Sequence, residues 1–157
     1  MSSAKTRQAT VFGPYLHGDR RDEIGASHDV VARGLCDDPL MRSTVLIVDD
    51  HEGFRSSASA LLEAEGFTVI GRVAGGGGVL AAVERLRPDV VLLDVQLPDL
   101  DGFAVAERLA RITDPPRVVL ISSRDAASYG ARVCAASACG FLAKRELSGA
   151  SLAALVG

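Results

Sequence analysis

Cysteine is scarce and unpaired in this sequence: Cys36, Cys134 and Cys139 are its three thiols, and no CxxC occurs. An odd, sparse set argues against a disulfide framework and fits reduced thiols in a cytoplasmic protein, with Cys134 and Cys139 read as small buried residues. Long hydrophobic runs are absent too. The longest are strand-sized, so no segment can span a bilayer and no membrane association is expected. The basic residues near the amino terminus are not followed by an apolar stretch, which argues against a secretory signal. Positive charge is not in excess: Lys and Arg total 17 against 20 Asp and Glu, a formal net charge of -3, with no basic run. Nothing marks a nucleic-acid surface, and no direct DNA binding is expected. What is present is apolar, 48% of 157 residues, enough to bury the core of one domain with some chain to spare.

Residues 1–43 stand apart from the rest. They carry turn formers (Gly13-Pro14, Gly18, Gly25, Gly34, Asp37-Asp38-Pro39) and no sustained period of 2 or 3.6. Their charges balance, which leaves 11 basic and 14 acidic residues in 44–157. This composition predicts a disordered or loosely attached tail ahead of a folded domain over 44–157. Met41, just before the first strand, is an alternative start of translation.

From Thr44 onward strand and helix patterns alternate. Val45–Val48, Phe67–Ile70, Asp89–Asp94, Val118–Ile121 and Gly140–Ala143 read as strands, and the continuous apolar runs among them suit strands buried on both faces. Phe54, Ala58, Leu61 and Leu62 mark a helix that Gly66 ends. Val79, Ala82, Val83 and Leu86 mark a second, stopped by Pro88. Phe103, Ala106 and Leu109 mark a third, and Tyr129, Val133 and Ala136 a fourth. Ser148 caps a last helix, with Leu147 and Leu152 as a hydrophobic staple. Gly75–Gly78 lacks the Lys-Ser/Thr of a phosphate loop and reads as a flexible connection. Five βα units with short connections predict an α/β fold: a doubly wound, five-stranded parallel sheet with right-handed crossovers and its chemistry at the carboxyl ends of the strands.

Those ends carry an unusual set. Asp49 and Asp50 end the first strand, Asp94 the third, Ser122 the fourth and Lys144 the fifth. Taken singly, each has an ordinary reading as a turn residue, a cap or a solvated lysine. Together, all at carboxyl ends, they describe a phosphoryl site. Crowded carboxylates call for a divalent cation, and oxygen ligands favour Mg2+, which also holds phosphate. One carboxylate can attack phosphorus in line, while a lysine supplies fixed positive charge and a serine donates a hydrogen bond to the product.

Val45–His51, Pro88–Gly102 and Gly140–Lys144 resemble the signature segments of bacterial response-regulator receiver domains, and the similarity covers about residues 44–156. The resemblance implies a flavodoxin-like receiver fold with Asp94 as phosphoacceptor. It makes Asp50 a direct Mg2+ ligand, Asp49 a ligand mainly through metal-bound water, and the Gln96 backbone carbonyl the last protein ligand. Lys144 would bind the phosphoryl group, Ser122 would be the switch hydroxyl and Phe141 the aromatic that changes rotamer. Pro98 and Gly102 would shape the loop after the acceptor. Gln96 and Arg124 would flank the path of the hydrolytic water and so set phosphoryl lifetime. Phe141 stands where many members have tyrosine, and Arg145 where many have proline.

With nothing after the fifth helix, a stand-alone phosphorylation switch is expected. A histidine kinase or histidine phosphotransfer protein would supply the phosphoryl group, and the output would pass by contact to an unidentified downstream protein. The chain is then not an enzyme beyond accepting phosphate and losing it slowly. A phosphorelay intermediate and a pseudo-receiver interaction module are the alternatives. A hydrolase with an aspartyl nucleophile would need an acid two residues past Asp94, where Gln96 stands.

Overall fold

The computed structural model describes residues 10–11 and 43–157. In chain order its elements are β1 (Thr10–Val11), β2 (Thr44–Val48), α1 (Glu52–Ala64), β3 (Thr68–Val73), α2 (Val79–Leu86), β4 (Val90–Asp94), α3 (Gly102–Ala110), β5 (Arg117–Ser122), α4 (Ala131–Ala135), β6 (Gly140–Ala143) and α5 (Gly149–Val156). They form one sheet in the order β1-β6-β5-β4-β2-β3. Strands β2 to β6 are all parallel, the doubly wound arrangement expected from the sequence. The addition is β1, which pairs antiparallel with β6, Thr10 opposite Phe141 and Val11 opposite Gly140. Apart from Thr10, Val11 and Ser43, the tail expected over 1–43 lies outside the described residues, as does Met41.

The apolar runs form strands because both faces are covered. Leu46, Val48, Val91, Leu93, Val118, Leu120 and Phe141 pack under α2, α3 and α4. The alternate residues Val45, Ile47, Val90, Leu92, Val119, Ile121 and Leu142 pack under α1 and α5. A fully enclosed leucine such as Leu92, 0% exposed, contributes about 2 kcal/mol relative to a solvated one. No helix among the described residues is long and apolar enough to cross a membrane.

The amino ends of the strands are closed by ordinary polar bonds: Thr44 donates through its backbone N and Oγ1 to Asp89 Oδ2, each at 2.8 Å. This Asp is structural, in contrast to those at the carboxyl ends. Helix ends follow the expected signals. Gly66 takes a φ of 97° after α1, and Arg87 a φ of 50° before Pro88. Ser148 caps α5 by accepting from Ser151 N at 3.0 Å, and Leu147 and Leu152 join the same core.

Four local expectations change. Leu61 lies off the buried face of α1 and is 37% exposed, because Ala58 and Leu62 already fill the contact. Tyr129 falls outside α4, which has only five residues and follows a 3-10 turn at Ala126–Ser128. Cys134 is exposed and Cys139 half-buried, so neither is a fully enclosed thiol. Gly75–Gly78 is not a loose connection: Gly76–Gly78 forms a 3-10 turn, and the Gly76 and Gly77 N–H groups each donate to the Asp99 carboxylate at 2.8 Å. Those bonds lower Asp99 from its ordinary carboxylate value and tie the start of α2 to the loop after β4.

That loop is also pinned by Gly102. A Cβ there would lie 2.3 Å from the Asp94 carbonyl oxygen and 2.7 Å from Val95 Cα, both backbone atoms that cannot swing aside. Gly102→Ala is therefore expected to destabilise the fold by about 2 kcal/mol, the scale of overpacking. A urea midpoint lowered at unchanged m-value would register this; an unchanged midpoint would mean the loop relaxes freely.

Candidate functional site

Strand β2 has β3 on one side and β4 on the other, so the helices after β2 and β4 leave toward opposite faces and a crevice opens at the carboxyl ends. Asp49 follows β2 directly and Asp94 is the last residue of β4. Both are buried, Asp49 at 0% and Asp94 at 3% exposure, which is costly for carboxylates without partners.

Lys144, just past β6, supplies the partner. Its Nζ lies 2.5 Å from Asp49 Oδ2 and 3.0 Å from Asp94 Oδ2. The ammonium also sits 4.6 Å from the centre of the Phe54 ring, a cation–π contact from α1. Burial alone would lower the Lys144 ammonium, but the two carboxylates outweigh it and the net shift is upward. Burial pushes the Asp94 carboxyl above its ordinary value, against the hydrogen bond from Gln96 N at 2.9 Å and the pull of Lys144.

The acid cluster is compact. Asp49, Asp50, His51 and Asp94 each offer a ligand atom, and these lie within 4.8 Å of one another. Asp49 Oδ1 accepts from His51 N at 2.8 Å. Asp49 Oδ2 is buried and pairs with the Lys144 ammonium; no other donor reaches it among the described residues. Three clustered carboxylates with one ammonium set between two of them keep an excess of negative charge, which fits a hard divalent cation such as Mg2+.

Ser122, the last residue of β5, is 0% exposed. Its Oγ accepts from Arg124 N at 3.1 Å and lies 2.6 Å from the Tyr129 hydroxyl. Phe141 is buried on β6 with its ring 5.8 Å from that of Tyr129. Gln96 and Arg124 are both exposed. Thus Asp49, Asp94 and Lys144 are in direct contact, Asp50 joins the acid cluster, and Ser122 and Phe141 meet at Tyr129.

Three contributors escaped the sequence reading. His51 reaches the cluster with Nδ1 2.9 Å from Asp50 Oδ1; its place beside the Asp pair was the available signal. Phe54 was read only as a core residue of α1. Tyr129 was read as one mark of a helix, and nothing local in the sequence ties it to Ser122.

Comparison with known proteins gives a consistent picture. The family model described as Response regulator receiver domain matches residues 45–155. BvgA of Bordetella pertussis, named for transcription regulation of virulence factors, is 37% identical over 106 residues, covering 68% of this chain and 51% of BvgA. EvgA of Escherichia coli K12, named a DNA-binding transcriptional activator, is 30% identical over 101 residues, 64% of this chain and 50% of EvgA. The structure solved as the signal receiver domain of NarL from Mycobacterium tuberculosis superposes with a TM-score of 0.63 at 31% identity, covering 73% of this chain and 93% of that one.

The chain spans about half the length of the curated relatives it matches. Their names correct one expectation: the absence of direct DNA binding, argued from the mild charge and the chain's last helix, is overturned by relatives named as transcription regulators and, for EvgA, as DNA-binding. The charge argument addresses only the part of such proteins that this chain covers, about half. The stand-alone output likewise has no counterpart in these relatives, which extend well beyond the match. The match over residues 45–155 takes in nearly every element from β2 to α5, and the chain belongs to the response regulator receiver domain family.

Proposed function

We propose that this receiver accepts a phosphoryl group on Asp94 from a phosphohistidine of a histidine kinase or phosphotransfer protein, in the cytoplasm. The supporting observation is the Asp49–Lys144–Asp94 contact at the sheet's carboxyl edge, with Asp50 in the same acid cluster. An Asp94 carboxylate oxygen attacks phosphorus, the P–N bond to the donor imidazole breaks, and the imidazole leaves with a proton. Lys144 follows the charge onto the phosphoryl oxygens. Asp50, Asp94 and the Gln96 carbonyl would hold Mg2+ directly and Asp49 through water, and the ion would neutralise phosphoryl charge. Ser122 would donate to a phosphoryl oxygen, and Phe141, buried here, would be the aromatic that follows it.

The names of BvgA and EvgA favour transcriptional control as the output. The names of these relatives do not favour a purely contact-mediated or relay role, and the pseudo-receiver reading would need a lost acceptor or lysine. The test is incubation of the full chain with acetyl phosphate and Mg2+. One acid-labile phosphate per chain, absent with EDTA, is expected; rapid release over many turnovers would favour the hydrolase instead.

Arg124 bears on lifetime. Its backbone N already holds Ser122 Oγ, and its exposed guanidinium can fold over the phosphoryl oxygens and exclude water. Arg124→Ala is expected to shorten the half-life of the phosphorylated chain by up to about tenfold, or about 1.4 kcal/mol of barrier. Decay of radiolabel after donor removal measures it, and an unchanged or longer half-life rules the shielding out.

A further inference from the structure

The geometry points to Tyr129 as the positioning residue that holds Ser122 while Asp94 is unmodified and carries the state of Asp94 to the α4 segment. This inference rests on the proposed reading of Asp94 and Ser122. Ser122 has one proton and two lone pairs. Arg124 N–H occupies one lone pair, and the Tyr129 hydroxyl, 2.6 Å away, takes either the second lone pair or the proton. In the proposed switch Ser122 Oγ itself swings toward the phosphoryl group on Asp94, and that swing gives up the 2.6 Å Tyr129 contact.

The tyrosine is built into a chain of rings. Its ring lies 5.7 Å from Phe103 at 62° and 5.8 Å from Phe141 at 54°. Phe103 opens α3 and Phe141 lies on β6. Arg132 of α4 lies 4.4 Å over the Phe103 ring and pairs with Asp101, the N-cap of α3. Tyr129 therefore joins the switch hydroxyl to three elements at once. The segment it heads is weakly anchored: α4 has five residues, and Val133 is the buried one. A segment with so little enclosed surface is drawn from the low-stability end of the fold and can be redistributed by one hydrogen bond. Phe141 has no hydroxyl of its own, so the phenol in this cluster comes from the end of the 3-10 turn ahead of α4 instead of from β6.

The experiment uses Tyr129→Phe, which keeps the ring and removes the hydroxyl. Losing a contact made only in the unmodified state should speed labelling by acetyl phosphate about threefold to tenfold, the scale of one neutral hydrogen bond. In a Ser122→Ala background the same change should do nothing, since its partner is gone. A spectroscopic signature accompanies this. The sequence has no tryptophan and two tyrosines, so in Tyr15→Phe chain Tyr129 is the sole emitter. Its fluorescence should change on phosphorylation, and Ser122→Ala should abolish that change. Labelling of the unmutated chain with no effect of Tyr129→Phe and no fluorescence change overturns the Tyr129 inference alone. Equal acceleration in both backgrounds also overturns it, marking a packing effect. No labelling of the unmutated chain overturns the Asp94 reading beneath it.

Discussion

Asp94→Asn is expected to leave no acid-labile phosphate on the chain under conditions that label the unmutated protein fully. The substitution is nearly isosteric, and the amide oxygen can still accept from Gln96 N, as Asp94 Oδ1 does at 2.9 Å. What disappears is the nucleophile: an amide oxygen does not displace a leaving group from phosphorus. Lys144 keeps Asp49 as its partner, so the variant should fold, with thermal unfolding as the control. Residual full labelling would place the acceptor elsewhere, Asp50 being the exposed alternative in the same cluster.

The largest effect on stability is expected from Lys144→Met. The lysine is 14% exposed at its side chain and stands between side chains that are 0% and 4% exposed. Methionine matches its length but leaves Asp49 and Asp94 buried beside each other without a cation. Breaking a buried pair from one side costs about 3–5 kcal/mol, and the residual exposure of Lys144 places this case near 3. Phosphoryl acceptance should fall as well, since the fixed positive charge at the product is gone. Two observations separate electrostatics from packing. Asp49→Asn in the Lys144→Met background should recover much of the lost stability. Mg2+ should stabilise Lys144→Met more than the unmutated chain, because a ligand that binds only the folded state adds RT ln(1 + [L]/Kd) and the bare acids bind it more tightly. Destabilisation below about 1 kcal/mol would mean the lysine is a solvated neighbour and not the counter-ion of a closed pocket.

The fold was legible where burial is two-sided. Val90–Leu93 and Val118–Ile121 are continuous apolar runs because helices cover both faces of β4 and β5, and that pattern has few other causes. The edge strand β3, only partly buried, was placed with less of its length because half-exposed positions relax the pattern. Residues whose roles depend on distant partners were not legible. Gly75–Gly78 read as loose because its anchor, Asp99, lies more than twenty positions away. The acid site was legible because Asp49, Asp94 and Lys144 are placed by strand ends, which the topology gathers at one edge. Tyr129 was not, because its position depends on a short helix and a 3-10 turn that carry no strong period. Thr10–Val11 escaped because two residues cannot show a period at all.

The most direct measurement is chemical mapping of the phosphorylated residue on the unmutated full chain. Labelling with acetyl phosphate and Mg2+, followed by borohydride, reduces an aspartyl phosphate to homoserine, which peptide sequencing locates. The account predicts homoserine at position 94 and aspartate unchanged at 49 and 50. Homoserine at either of those two positions, or none anywhere in a chain that carries phosphate, would contradict it.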